Sequence, residues 1–127
     1  MDFSFGSEKK LKGKKLVGRV FSEGKAVKSF PLLAIVIQSS ELQENRAGFS
    51  VSKKRFARAV TRNLLKRRMR EAYRLNLPKS NLQNHSGLAF MLLYTGREVM
   101  DYDRIHKAMV KLLNKIAESF PPDIEQS

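Results

Sequence analysis

Between Lys15 and Glu23 the apolar residues Leu16, Val17, Val20 and Phe21 recur at helical spacing and Gly24 follows as a stop, which predicts a short amphipathic first helix. From Ala26 to Ser39 the pattern becomes a continuous apolar run, FPLLAIVIQ, rich in β-branched residues and interrupted by Pro31. That run reads as two strand segments joined at Pro31. Apolar residues on both parities indicate a strand that is central in its sheet or covered on both faces. Glu41 to Asn45 is a polar connection, after which Ala47, Phe49 and Val51 alternate with Gly48, Ser50 and Ser52, the pattern of a strand with one buried face. The small polar face could leave a shallow groove, although a solvent-facing strand has the same pattern.

A long amphipathic helix is predicted from Lys53 to about Asn76, ended by Pro78, with Ala57, Val60, Leu64, Leu65, Met69, Ala72 and Leu75 on its apolar arc. Arg68 and Glu71 fall inside that arc, where they could pair with each other at its rim. Lys79 to Gly87 is a polar loop, Leu88 to Tyr94 an apolar strand, and Asp101 or Asp103 can cap a last helix. On that helix Ile105, Met109, Leu112, Ile116 and Phe120 mark one face, while Lys107, Lys111 and Lys115 lie away from it. The order α-β-β-β-α-β-α describes a single α+β sandwich. Flexible tails are expected at residues 1–8 and 121–127, around one domain spanning 9–120.

Charge changes the picture most at the long helix. Lys53 to Arg74 holds ten Lys or Arg residues and one acid, Glu71. Arg62, Lys66 and Arg70 form a row at i, i+4 spacing, flanked by Asn63, Arg67 and Arg74. Like charges stacked in this way destabilise an isolated helix, so a polyanion outside the fold is the natural partner. The whole chain of 127 residues carries a formal charge of +13, which attracts nucleic acid or anionic surfaces. There is no cysteine, excluding disulfides, thiolate nucleophiles and Cys-ligated zinc. No run approaches the length of a membrane span and the start, MDFSFGSEKK, lacks the apolar core of a signal peptide, so a cytoplasmic protein is expected.

Catalytic chemistry of the chain's own is hard to assemble. Each histidine, His85 and His106, reads as an ordinary surface or rim residue without metal-ligand neighbours. Glu98, Asp101 and Asp103 form the one acidic cluster, and negative charge near the last helix's N-terminus accounts for it. Neither a catalytic nor a metal-binding set is expected.

The stretch SVSKKRFARAVTRNLLKRRMREAYR resembles the signature of the bacterial ribonuclease P protein subunit, with the RNR motif at Arg62-Asn63, Lys66-Arg67 and Arg70-Glu71. The likeness extends through LVGRVFSEGK, the FPLLAIVI strands and the closing strand and helix, over about residues 9–118. It implies a left-handed crossover around the motif helix, against the usual right-handed default. It further implies a protein that assists a catalytic RNA in cutting precursor tRNA at the mature 5′ end, with magnesium held mainly by the RNA subunit and the substrate. The implied RNA-binding residues are Lys53, Lys54, Arg58, Arg62, Asn63, Lys66, Arg67, Arg70 and Arg74. A cleft between the sheet and the motif helix, lined by Val17, Phe21, Leu33, Ile35, Asn63 and Lys66, is expected to take the single-stranded 5′ leader of the precursor. Leu64 stands where many members carry another arginine, Val17 where an aromatic is common, and Ile35 in place of a strand aromatic. The departures imply a grip on the leader through charge and aliphatic contact more than through stacking.

Three other readings compete. A ribosomal or other structural RNA-binding protein would share the charge and the sandwich but not the RNR spacing. A DNA-binding helix-turn-helix would need a short helix before Lys53, where a strand is expected. A membrane-surface helix would need a bulkier apolar face.

Overall fold

The computed structural model describes residues 13–120. The tails expected at 1–8 and 121–127, and residues 9–12 of the expected domain, lie outside the described residues. The elements are α1 (Lys14–Glu23), β1 (Lys25–Ser29), β2 (Leu32–Gln38), β3 (Arg46–Ser50), α2 (Ala59–Asn76), β4 (Leu88–Tyr94) and α3 (Tyr102–Ser119). The predicted α-β-β-β-α-β-α order holds. Two short 3₁₀ turns, Leu77–Lys79 and Asn81–Asn84, lie at the start of and within the polar loop predicted from Lys79 to Gly87.

The sheet order is β1-β2-β4-β3, with β1, β2 and β4 antiparallel and β3 parallel to β4. The parallel pair is joined across α2. The central position of β2 explains its apolar run on both parities. Leu32, Ala34 and Val36 join Phe90, Leu92 and Tyr94 of β4 in a large core beneath α2 and α3, whereas Ile35 and Ile37 meet Val17 and Val20 of α1 on the opposite face. The sheet is therefore covered by α2 and α3 on one side and partly by α1 on the other.

α1 ends where its chain passes very close to β2. A Cβ on Gly24 would lie 2.3 Å from the Val20 carbonyl oxygen and 2.4 Å from Ile35 Cγ2, so only glycine fits that crossing. At the other end of the sequence, Asp101 accepts a hydrogen bond from the Arg104 N–H and caps α3. The face of α3 predicted to be apolar is buried at Ile105, Met109, Leu112 and Ile116.

Four local expectations are corrected. Lys53 to Arg58 is not helical: the Phe56 N–H bonds back to the Ser52 carbonyl, the Lys54 N–H bonds to Ser52 Oγ, and the buried Phe56 ring sets its edge against Tyr94. This turn delays the helix to Ala59. The buried arc of α2 is Leu65, Met69, Ala72, Tyr73 and Asn76, while Val60 and Leu75 are exposed, because Val60 lies in the first turn and Leu75 on the far flank from the sheet. Arg68 and Glu71 do not pair; Arg68 donates to the Met100 carbonyl at 2.6 Å and Glu71 accepts from Arg74 at 2.7 Å. His85 is buried rather than superficial, with Nε2 3.1 Å from the Ala117 carbonyl oxygen, since the 3₁₀ turn before it folds the loop under α3.

Candidate nucleic-acid interface

Two surfaces carry the residues that sequence reasoning singled out. The first is the outer side of α2. Its orientation is fixed by an aromatic chain, with Tyr73 set edge-on to both Phe49 of β3 and Phe90 of β4 at centroid separations of 5.8 and 6.0 Å. Burial pushes the Tyr73 phenol well above its ordinary pKa, in keeping with a ring sealed into the core. With that side of the helix turned inward, the row Arg62, Lys66 and Arg70 lies on the flank leaning toward the edge strand β3. The Arg70 guanidinium sits over the Phe49 ring, 5.6 Å from its centroid.

Asn63, Arg67 and Arg70 are exposed, and Arg62, Lys66 and Arg74 are half-buried. Arg62 donates from Nη1 to the carbonyls of Phe56 and Ala57, both at 2.9 Å, and so braces the turn before the helix. That brace presents Lys53, Lys54 and Arg58, all exposed, beside the first turn of α2. Arg55 is tied down by a bond to the Thr95 carbonyl. The N-terminus of α2 has no acid in its first turn and no side-chain cap, so its partial positive charge adds to that of the surrounding cations. Arg74 is paired with Glu71, which tempers the charge at the C-terminal end.

The second surface is the side of the sheet under α1. Register places three rows across it: Ile37, Ala89 and Arg46; Ile35, Met91 and Gly48; Leu33, Leu93 and Ser50. α1 covers the first row, where Ile37 and Ala89 are buried. Leu33, Ile35, Met91, Leu93, Gly48 and Ser50 remain half-buried, a low apolar floor two rows wide, about 7 Å from row to row. Gly48 and Ser50 keep its β3 end shallow. Val17 flanks this floor, and Phe21, one helical turn further along α1, is 49% exposed.

The expected leader cleft is thus divided. Val17, Phe21, Leu33 and Ile35 belong to the α1 side of the sheet, while Asn63 and Lys66 stand on α2, beyond the β3 edge. The space between α2 and the sheet is not a cleft at all: Leu65, Met69 and Ala72 fill it with no exposure. The open floor lies under α1 instead. Two contributors were missed from sequence, Phe49 and Phe56. Alternation marked Phe49 as inward-facing, yet nothing local indicates that Arg70 lies above it, and Phe56 looked like one more residue of a helix.

Among the described residues no group of three or more His, Asp or Glu side chains could hold a metal ion. Asp101 is occupied as a helix cap, so Glu98, Asp101 and Asp103 do not fit as a magnesium site. Among the same residues no helix is long and apolar enough to cross a membrane.

The Ribonuclease P family profile matches residues 5–117. The chain is 37% identical to the ribonuclease P protein component of Porphyromonas gingivalis over 129 aligned residues, covering 94% of this chain and 90% of that one. It is 38% identical to the same component from Clostridium botulinum over 108 residues, covering 85% and 94%. The fold is similar to that of the RNase P protein of Staphylococcus aureus, with a TM-score of 0.71 at 24% identity over 88% of this chain and 97% of that one. It is similar also to the RNase P protein of Thermotoga maritima, with a TM-score of 0.69 at 22% identity over 84% and 98%.

Proposed function

Since the chain belongs to the ribonuclease P protein family, we propose that it acts as the protein subunit of that ribonuclease, binding a catalytic RNA and the 5′ leader of precursor tRNA. The observation that carries this reading is the α2 flank, where Arg62, Asn63, Lys66, Arg67 and Arg70 stand together with no acid paired to any of them among the described residues. Lys53, Lys54 and Arg58 extend the same surface. α2 is the face for the catalytic RNA. The floor of Leu33, Ile35, Met91 and Leu93, beside Val17 and Phe21, takes the leader as it runs toward the β3 edge. Lys66 and Asn63 meet its backbone there.

Placing a precursor against a large catalytic RNA brings two polyanions together, and a cationic protein at their junction lowers the repulsion. The chain's own residues bind, orient and neutralise. Magnesium, held by the RNA and the substrate, supplies the chemistry of phosphodiester hydrolysis. The protein's contribution is therefore largest when magnesium is scarce. The test is 5′ cleavage of a precursor tRNA by the catalytic RNA at low magnesium, with and without the protein. Strong stimulation is expected, and no stimulation would put the structural RNA-binding reading ahead.

A further inference from the structure

A second basic surface lies at the other edge of the sheet. α3 packs over β1 and β2, whereas α2 reaches toward β3, so the exposed flank of α3 is separated from the α2 flank by the width of the sheet. Along it Arg104, Lys107, Lys111 and Lys115 fall within one strip, and the lysines are spaced about 6 Å apart along the axis. Together with Ser29 and Phe30 of the β1–β2 hairpin they line a hollow of about 470 Å³ that no acidic side chain enters among the described residues.

Three features point to a ligand. Lys107, Lys111 and Lys115 repeat at i, i+4 with acids only beyond the ends of the row, Asp103 one turn before and Glu118 one turn after, so the like charges at its centre weaken the helix. Lys115 Nζ donates to the Lys28 carbonyl at 2.7 Å, which closes one end of the hollow, while Lys107 and Lys111 are exposed. Phe30 is 69% exposed at its rim, the highest exposure of any apolar aromatic among the described residues. A solvent-exposed ring beside a line of cations is a stacking platform next to a phosphate track.

We propose that this hollow is a second RNA-contact site that takes a single-stranded segment, its phosphates along Lys107 and Lys111 and one base against Phe30. A duplex keeps its bases stacked and offers nothing to the ring, so the single strand is the form that fits. The site goes beyond the α2 and α1 surfaces and shares no residue with them. One protein could then hold RNA at both edges of its sheet.

The test uses the full chain carrying Phe21→Ala and Lys66→Ala, which weaken the single-strand site proposed under α1, and a labelled short oligouridylate, with affinity measured across a salt series. The double variant Lys107→Ala, Lys111→Ala should lower the salt slope by about 1.4, two phosphate contacts at about 0.7 each on single strands. The pair Lys79→Ala, Arg97→Ala removes the same charge elsewhere on the surface and should leave the slope near that of the parent. Phe30→Ala and Phe30→Leu should each weaken binding about tenfold without changing the slope. A lysine variant indistinguishable from the control pair overturns the site. A lower slope with both Phe30 variants silent overturns the single-strand assignment, as does binding of the groove to anionic phosphatidylserine vesicles with none to oligouridylate. Since the parent and every variant share the same α1 and α2 surfaces, failure here is distinct from failure of the proposed function.

Discussion

The Arg70 guanidinium rests over the Phe49 ring at 5.6 Å, joining the outer flank of α2 to the edge strand of the sheet. The contact fixes a long, otherwise mobile side chain where charge is needed, and a partly exposed cation–π contact is worth about 0.5–1 kcal/mol. Lysine keeps the charge but loses the planar stacking surface. Arg70→Lys and Phe49→Leu should each weaken binding to the catalytic RNA about two- to fivefold while leaving the salt slope unchanged. A filter-binding titration across salt concentrations checks this. Unchanged affinity in both variants would mean the ring does not position the charge.

Arg62 holds the turn before α2 through two carbonyls, Phe56 and Ala57. Arg62→Lys retains the charge on a shorter side chain that lacks the planar guanidinium holding Nη1 between the two carbonyls, so the turn from Lys53 to Arg58 should open more often. With the discount for partial exposure the loss is about 1 kcal/mol, or about fivefold in the open population. Trypsin cleavage within Lys53–Arg58 should accelerate by that factor in the variant. Equal cleavage rates would show that Phe56, buried against Tyr94, holds the turn unaided.

Those braces also show where sequence reading stops. The strands β2 and β4 were legible because their apolar runs match strand length, and a cap at Asp101 or Asp103 because cap and amphipathic face agree, with Asp101 selected only by its bond from the Arg104 N–H. The start of α2 was not, since the Phe56 ring finds its partner in Tyr94 on a strand far along the chain. The pairing of Arg68 with Glu71 failed for a similar reason: the Met100 carbonyl, brought close by tertiary packing, is the better acceptor for Arg68. The basic residues of the site were visible as composition and spacing. Which face of the sheet stays open was not, because that depends on α1 covering one row of three, a consequence of the close crossing at Gly24.

Leader binding should depend more on charge than on stacking. Phe21 is half-exposed at the margin of the floor, and its neighbours Val17 and Ile35 are aliphatic. Lys66→Ala should cause a large loss of precursor affinity and remove about 0.7 from the salt slope, while Phe21→Ala has a modest effect. Affinities for precursor tRNA with and without its leader, measured on the assembled ribonucleoprotein, separate the two. The opposite order would show that one aromatic dominates the cleft.

Tyr73 gives the fold an alkaline limit. Its ring is 2% exposed, and burial raises the phenol well above its ordinary pKa near 10. Below pH 10 the folded and unfolded chains both keep the proton and the contribution of Tyr73 is fully present. Above it the unfolded chain releases the proton and the folded chain does not, so stability falls by up to about 1.4 kcal/mol for each pH unit until the folded phenol ionises. Tyr94 is raised too, by burial first, with the bond from the Met100 N–H working against it, so part of the decline belongs to that residue. Urea unfolding at fixed ionic strength between pH 9 and 11 should show a shallower loss for Tyr73→Phe than for the parent chain. Parallel curves would mean that the phenol ionises with equal ease in both states, and that the contact of Tyr73 with Phe49 and Phe90 is open to water.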